Sequence, residues 1–351
     1  MTFFLRKIKS KPKKLLITRT DRIGDFVLTL PVFEAVSQQL NIEYSILCQE
    51  AVLPILENNP FLNSVISIKS TDSSEKVSEI IRRYNFDALL VLVNDSFSIN
   101  LLPHLKHIPV RIGPLSKVKT LLYYSHPVIQ KRSRSIQNEA EYNLELFKIF
   151  DHNINVQIKP KVYVETAEKE GFKNQFNDIQ FELRKTIIFH SGMAGSALNW
   201  KDNKYEKLLR KLTDLDVNII LTGYSKQEHH RNKVLFEQQQ NHRYIYNLTG
   251  NLNLRELIIL YSLADIFVGP STGPTHIANA CNLKIFSFYP PIQVQSKTRW
   301  QPYLANSNIF TPNAVCNQKY KCIKEKCPEF YCMDQISVSE ALESILTETQ
   351  N

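Results

Sequence analysis

The sequence predicts an α/β protein of two similar-sized, doubly wound parallel-sheet domains facing each other across a cleft. Three observations carry this expectation. Short apolar runs alternate with helical patterns along most of the chain, the pattern of a parallel sheet covered on both faces. The 351 residues make about two domains at roughly 150 residues each. The alternation lapses once, over residues 151–182, a polar stretch with Pro160 and Gly171, and then resumes. The junction falls there, giving domains at 1–160 and 161–335 and a C-terminal helix at 336–351.

In the first series Lys14–Thr18 reads as a strand, followed by a loop to Gly24 and a helical pattern to about Leu40. Glu43–Leu47, Ser64–Ile68 and Ala88–Val93 read as further strands, with helical stretches at Val52–Glu57 and Lys76–Arg83. Gln137–Phe150 reads as a longer helix. In the second series Thr186–His190, Val217–Thr222, Asp265–Gly269 and Lys284–Phe288 read as strands. The helices between them are Asn203–Leu212, Lys226–Gln238, Leu254–Ala264 and Thr275–Asn282. Asn203 with Glu206, and Asn253 with Glu256, have capping-box spacing. Ser337 and Glu340 open a last helix to about Thr349.

Composition excludes several classes. With 43% hydrophobic and 22% charged residues the chain builds ordinary cores and is not disordered. The longest apolar run, near Ala88–Val93, is far short of the ~20 residues that span a bilayer. The basic N-terminus is not followed by an apolar stretch of ~7–15 residues, so no secretory signal is expected. The net charge of +9 suits an anionic partner: nucleic acid, a phosphorylated substrate or an acidic membrane surface. Arg6, Lys7, Lys9, Lys11, Lys13 and Lys14, beside Phe3, Phe4 and Leu5, form either a solvated arm or a contact with an anionic membrane.

Glycine is scarce, nine residues, roughly a third of usual usage, so each marks a backbone demand. Seven of the nine follow apolar runs: Gly24, Gly192, Gly195, Gly223, Gly250, Gly269 and Gly273. In a parallel sheet these loops lie at the carboxyl ends of strands, where ligands bind. The first such loop, Arg19–Asp25, is not a nucleotide fingerprint, since neither glycine-rich phosphate motif occurs in the chain. Asp25 either charges the first turn of a helix or serves as a general base. The second, His190–Trp200, holds Ser191, Gly192, Gly195 and Ser196 before a helix start. It is long for a βα connection, and its N–H groups can cradle phosphate. The third, Gly269–His276, offers Ser271 or Thr272 as cap, Gly273 for close approach and Pro274 in the first turn. It is the best anion site in the chain, with Thr275 and His276 at the positive end of a helix.

Other candidates are weaker. Asp214 and Asp216 have the spacing some sugar transferases use for a metal, but they fall between a helix and a strand and read as a turn. His229 and His230 lack partners at metal spacing. Cys48 and Cys281 sit in apolar contexts as core residues. Cys316, Cys322, Cys327 and Cys332 crowd into seventeen positions. Four thiolates suit structural zinc, but paired C-x2-C spacing is absent, so reduced structural thiols, a metal site and disulfides all stay open.

Together the loops carry a resemblance. Ile17–Pro31, Asn247–Glu256 (with Leu252) and Ala264–Ala278 resemble the opening, nucleotide-helix and donor-binding motifs of the heptosyltransferases, glycosyltransferase family 9. Val110–Gly113 and the cysteine segment ending in Cys332-Met333 are weaker echoes. The resemblance implies a GT-B fold of two Rossmann-like domains, the first binding acceptor and the second binding donor. It implies inverting, metal-independent transfer of a sugar from a nucleotide donor, ADP-heptose, with no cofactor. The acceptor would be the lipopolysaccharide inner core, reached by a cytoplasmic enzyme peripheral to the anionic inner membrane, with no nucleic acid as partner. The family's catalytic aspartate falls on Asp25, with Arg19, Arg22 and Gly24 on the acceptor side. Donor contacts fall on Ser191, Gly192, Ser196, Asn199, Lys201, Glu228, Leu252, Ser271, Thr272, Gly273 and His276.

Two positions depart from the family pattern. Ser271 stands where many members have aspartate. Leu198 stands where many have lysine, and Lys201 is the nearby cation that could replace it. The alternatives to this reading are a GT-B transferase using another nucleotide sugar, a nucleotide-sugar epimerase acting on donor alone, and a basic binding protein. The last lacks a basic helix with interleaved aromatics.

Overall fold

Two sheets organise the chain, one in each of two compact units, Met1–Pro160 and Lys161–Asn351. The computed structural model describes every residue except Met1, Lys9, Ser116, Lys117, Ala194, Ser196, Gln240, Asn241 and Asn351. The first unit holds strands β1 (Thr2–Phe4), β2 (Lys14–Thr18), β3 (Glu43–Gln49), β4 (Ser64–Ile68), β5 (Ala88–Val91), β6 (Val110–Pro114) and β7 (His126–Gln130). Its helices are α1 (Ile23–Val27), α2 (Leu30–Ala35), α3 (Leu53–Leu56), α4 (Ser74–Arg82), α5 (Ser96–Leu101) and α6 (Glu139–Glu145). The second unit holds β8 (Thr186–Phe189), β9 (Asn218–Leu221), β10 (Ile245–Asn247), β11 (Ile266–Pro270), β12 (Lys284–Phe288) and β13 (Ser307–Phe310). Its helices are α7 (Thr166–Gln175), α8 (Asp202–Leu212), α9 (Lys226–Glu237), α10 (Leu254–Ser262), α11 (Gly273–Ala280), α12 (Lys297–Trp300) and α13 (Val338–Gln350).

Strand order decides where a ligand can sit. The first sheet runs β1-β7-β6-β5-β2-β3-β4 and the second β10-β9-β8-β11-β12-β13. All pairs are parallel except β1 with β7. Setting β1 aside, both sheets have the dinucleotide-fold order 3-2-1-4-5-6. The order reverses between β2 and β5 in one unit, and between β8 and β11 in the other. Loops leaving those strands at their carboxyl ends diverge to opposite faces and open a crevice.

The central strands are apolar on both faces, as a covered sheet requires: β5, β8 and β9 are buried throughout. Where the structure differs from the sequence expectation, the reasons are local. The helix expected from Gly24 to Leu40 is broken into α1, α2 and a π-helical turn at Val36–Leu40. Pro31 has no N–H to continue a helix but suits the first turn of a new one. The helix expected over Gln137–Phe150 shortens to α6 and a 3-10 turn, Leu146–Ile149. Helix α8 starts at Asp202 after an N-cap Lys201 without a side-chain cap, so Asn203 and Glu206 do not form the expected box. Boxes do form at Asn253 with Glu256 and at Ser225 with Glu228.

The N-terminal arm is not simply solvated. Thr2–Phe4 pairs antiparallel with β7, and Arg6 Nη1 donates to the Ser125 carbonyl at 3.2 Å. The added strand satisfies backbone groups that an edge strand would leave open. Among the described residues, no helix is long and apolar enough to cross a membrane.

In the second unit Trp200, Tyr205, Phe288 and Phe310 form an aromatic core. Trp200 stacks on Phe288 with centroids 4.1 Å apart and meets Tyr205 edge-on at 5.3 Å. Ala341 and Ile345 of α13 are buried in the same core, so the terminal helix is part of the second unit. Truncating Trp200 to Ala should destabilise the protein by about 3–5 kcal/mol. Trp200→Phe should cost much less, because it keeps the stack and removes an indole N–H that is buried without a partner. Urea unfolding checks this, and equal losses for the two variants would contradict it.

Candidate functional site

In the first unit the loop after β2 is shaped by a buried cation. Arg19 is only 1% exposed. Its Nε donates to Asp21 Oδ1 at 2.6 Å, its Nη2 to Asp25 Oδ1 at 3.1 Å and its Nη1 to Asn143 Oδ1 at 3.1 Å. Glu139 Oε1 lies 3.6 Å from Nη1. Burial works against the guanidinium charge, but Asp21, Asp25 and Glu139 outweigh it and hold the Arg19 pKa above its ordinary value. Arg19 is therefore committed to the protein and does not present a free group to an acceptor. Burial raises the Asp21 pKa, with Arg19 opposing it. Asp25, in the first turn of α1, keeps a fifth of its side chain open to solvent. Arg22 is exposed and Gly24 half-buried beside it. Thr20 Oγ1 ties the loop to the N-cap of α5, donating to Asp95 Oδ2 at 2.7 Å.

In the second unit the loop after β8 rests on a buried polar layer. His190 Nδ1 lies 3.0 Å from Thr222 Oγ1, and its Nε2 lies 3.6 Å from Glu228 Oε1. Burial pushes the His190 pKa down to about 4, with Glu228 opposing. Glu228 Oε2 accepts from the N–H groups of Tyr224 and Ser225 at 2.9 and 2.7 Å. Burial opposes the Glu228 charge, but those two donors outweigh it and hold its carboxyl below the usual range. Gly192 lies directly on this carboxyl, since a Cβ there would meet Glu228 Oε1 at 1.9 Å. Ser191 is fully buried and donates to Asn232 Oδ1 at 3.3 Å. Its carbonyl accepts from Asn199 Nδ2 and Arg231 Nη1, both at 3.0 Å. Ser196 lies outside the described residues. Lys201 pairs with Asp334 and sits 4.2 Å over the Tyr331 ring. It is thus engaged at the C-terminal segment rather than offered to the loop.

The loop after β11 completes the crevice. Thr272 is the N-cap of α11 without a side-chain cap bond, and Pro274 lies in the first turn. Ser271 is buried, while Thr272 and Gly273 are half-buried. Thr275 Oγ1 donates to the Pro270 carbonyl at 2.5 Å. His276 is 4% exposed, its Nδ1 is buried without a partner, and burial pushes its pKa down to about 4. Gly269 keeps the two crevice strands close, because a Cβ there would meet the His190 carbonyl at 2.6 Å. Leu252 lies half-buried in the turn before α10. Thus Ser191, Gly192, Asn199, Glu228, Ser271, Thr272, Gly273 and His276 line or support the crevice end of this sheet. The geometry can hold an anion through backbone N–H groups and a neutral imidazole.

Comparison with known proteins identifies the family. The model of glycosyltransferase family 9 (heptosyltransferase) matches residues 75–331, more than half of the chain. The chain belongs to glycosyltransferase family 9. A putative glycosyltransferase of Haemophilus influenzae is 29% identical to this enzyme over 305 residues, 83% of this chain and 86% of that one. Lipopolysaccharide heptosyltransferase 2 of Escherichia coli is 24% identical over 294 residues, 79% of this chain and 83% of that one. In three dimensions the solved ADP-heptose lps heptosyltransferase II of E. coli matches with TM-score 0.76 at 19% identity, covering 96% and 100% of the two chains. The fold is the GT-B fold, and the chain is a heptosyltransferase-like glycosyltransferase.

Sequence reading missed three residues of this glycosyltransferase: Arg231, Asn232 and Thr249. Asn232 Nδ2 donates to the Thr222 carbonyl and Thr249 Oγ1 at 3.0 and 2.8 Å. Arg231 also pairs with Asp202 at 2.9 Å. The available signal was spacing, because Glu228 and Arg231 are three residues apart and share a helix face. Cys316, Cys322, Cys327 and Cys332 line one small cavity of about 100 Å³ and are unbridged. Among the described residues, no group of three or more His, Cys, Asp or Glu side chains is placed to hold a metal.

The two buried histidines set a pH dependence. Both have pKa near 4 in the folded enzyme against about 6.5 when unfolded. As pH falls below about 6.5 the unfolded chain gains protons that the folded chain refuses, so stability is lost. The slope is up to about 1.4 kcal/mol per pH unit for each histidine, ending near pH 4. The urea midpoint should therefore drop from pH 7 to pH 5, and less steeply in His190→Gln and His276→Asn. Parallel slopes in all three proteins would contradict the assignment.

Proposed function

We propose that this enzyme transfers heptose from ADP-heptose to the lipopolysaccharide inner core, inverting the anomeric centre and using no metal. The observation that carries the reading is the placement of the two motif loops. Each leaves the sheet beside its strand-order reversal, one bearing a carboxylate and the other a set of anion-binding groups. In this reading residues 1–160 take the acceptor and residues 161–335 take the donor.

The acceptor hydroxyl gives its proton to Asp25 as its oxygen attacks the anomeric carbon. The bond from that carbon to the diphosphate oxygen breaks, and ADP leaves with the electron pair. The sugar passes through an oxocarbenium-like state. The new charge on the diphosphate meets the Gly273 amide at the start of α11, Thr272, the loop after β8 and His276. His276 is neutral in the free enzyme and donates a hydrogen bond; a bound diphosphate favours its protonated form. In this reading Glu228 and Leu252 belong to the nucleoside side of the donor site. The heptosyltransferase II of E. coli supports the donor and acceptor, since it is named as a lipopolysaccharide heptosyltransferase and its structure as an ADP-heptose lps heptosyltransferase. The +9 charge and the exposed N-terminal lysines suit a phosphorylated acceptor in an anionic membrane, with the enzyme peripheral to its cytoplasmic face.

A second donor is favoured by one observation: Leu198 contributes no charge to the phosphate loop and Lys201 is paired elsewhere. A transferase of the same mechanism with another nucleotide sugar fits that feature. Thermal-shift titration with ADP, UDP, GDP and CMP separates the two. ADP at a hundred times its dissociation constant should stabilise by about 2.7 kcal/mol, and a shift with UDP or GDP alone would overturn the heptose donor. Asp25→Ala should lose roughly 100-fold or more in turnover while keeping its ADP shift. Unchanged turnover would overturn the base assignment.

A further inference from the structure

Asp25 is held from behind by groups more than a hundred residues away in sequence. Glu139 and Asn143 lie four apart on α6, so both face the β2 loop. Glu139 is 1% exposed. Its Oε1 accepts from Arg132 Nη1 at 2.6 Å and lies 3.6 Å from Arg19 Nη1. Asn143 is fully buried. Its Oδ1 accepts from Arg19 Nη1 at 3.1 Å and from Arg132 Nη1 at 3.3 Å. Its Nδ2 donates to the Leu28 carbonyl at 3.2 Å, just where α1 ends, and reaches Thr29 Oγ1 at 3.5 Å. Thr29 Oγ1 in turn donates to the Asp25 carbonyl at 3.2 Å. Arg132 is fixed by Gln130 Oε1, which accepts its Nε at 3.0 Å and its Nη2 at 2.8 Å. Two routes therefore converge on Asp25: the guanidinium of Arg19 on its carboxylate, and Asn143 through Thr29 on its backbone.

Arg19 is shared among Asp21, Asp25 and Glu139, Arg132 pairs with Glu139, and Asp95 adds a negative charge near Asp21. Glu139 competes with Asp25 for the charge of Arg19. Without Glu139, Arg19 would be left to Asp21 and Asp25, and Asp25 would be paired more tightly and be a weaker base.

We propose that Glu139, Asn143 and Arg132 are positioning residues that act through Arg19 to aim Asp25 and keep it basic for proton transfer. The proposal rests on the reading of Asp25 as the base. It assigns to α6 and the 3-10 turn Arg132–Arg134 a part in the chemistry that no contact with substrate requires.

The test compares Glu139→Gln, Asn143→Ala, Asp25→Ala and the double variant Asp25→Ala/Glu139→Gln in steady-state ADP release from ADP-heptose with a core-oligosaccharide acceptor. Glu139→Gln should lower kcat by about 10-fold or more, leave both KM values within about two-fold, and move the acid limb of the kcat profile to lower pH. Asn143→Ala leaves every charge in place and should lower kcat without moving that limb. Should Glu139→Gln fail to fold, Asn143→Ala carries the test alone. The double variant should be no slower than Asp25→Ala, because the positioning residues act only through Asp25. An unchanged kcat in both folded single variants, with Asp25→Ala slow, would overturn the proposal and leave the base intact. A further loss in the double variant, or KM values rising in step with the fall in kcat, would overturn it as well. A normal turnover of Asp25→Ala would instead overturn the base reading on which it rests.

Discussion

A guanidinium with no exposed side-chain surface must be surrounded by hydrogen-bond acceptors, and in this enzyme that demand shapes the loop after β2. Arg19 continues β2 by one residue, its N–H donating to the Leu47 carbonyl at 3.0 Å, so its side chain has little choice of direction. Leaving such a charge unpaired costs several kcal/mol, and removing one partner of a buried pair typically costs about 3–5 kcal/mol. Asp21 and Asp25 therefore fold back around it, and α6 supplies the rest. The early end of α1 belongs to the same constraint, since Asn143 takes up the Leu28 carbonyl, whose helical donor, the Val32 N–H, goes to the Thr29 carbonyl instead. A carboxylate fixed this way needs little reorganisation when a proton arrives.

The second unit meets the same topological opportunity with a different device. Its crevice loops lie on a neutral polar layer, His190, Thr222, Asn232 and Thr249, with one carboxylate, Glu228, tucked under Gly192. At the start of α11, Pro274 has no N–H and the Thr275 N–H donates to the Thr272 carbonyl at 3.1 Å, so the proposed function relies there on the Gly273 amide and the buried neutral imidazole of His276. In the proposed function an anion entering there would exchange water for fixed donors as the diphosphate departs. On that reading this chain uses one strand order twice, once to fix a base and once to receive an anion.

Legibility in the sequence followed the range of the forces involved. Lys14–Thr18, Ser64–Ile68 and Lys284–Phe288 were readable to the residue because apolar runs between turn residues are local signals. The edge strands β10 and β13 are short and only half-buried, and they carry no such run. Strand β1 exists because β7, over a hundred residues away, needs a partner. The glycine loops at Arg19–Asp25 and Gly269–His276 were legible as loops at strand ends, and both leave strands beside the strand-order reversals, because backbone demand is written in glycine. The roles of individual side chains were less visible. Arg19 is expected on the acceptor side and is a buried counter-ion, while Lys201 is expected as a donor cation and is bound to Asp334. Glu139, Asn143 and Arg231 gave no local sign, since burial and pairing are settled by tertiary neighbours.

In the proposed function, Asp25 as base and a diphosphate leaving group require a single displacement at the anomeric carbon. The most direct measurement is the anomeric configuration of the first-formed product relative to the donor, followed by proton NMR during turnover of ADP-heptose with a core acceptor. A direct attack assisted by Asp25 predicts inversion in every product molecule. Retention of configuration would require a covalent or front-face route and would contradict the base assigned to Asp25.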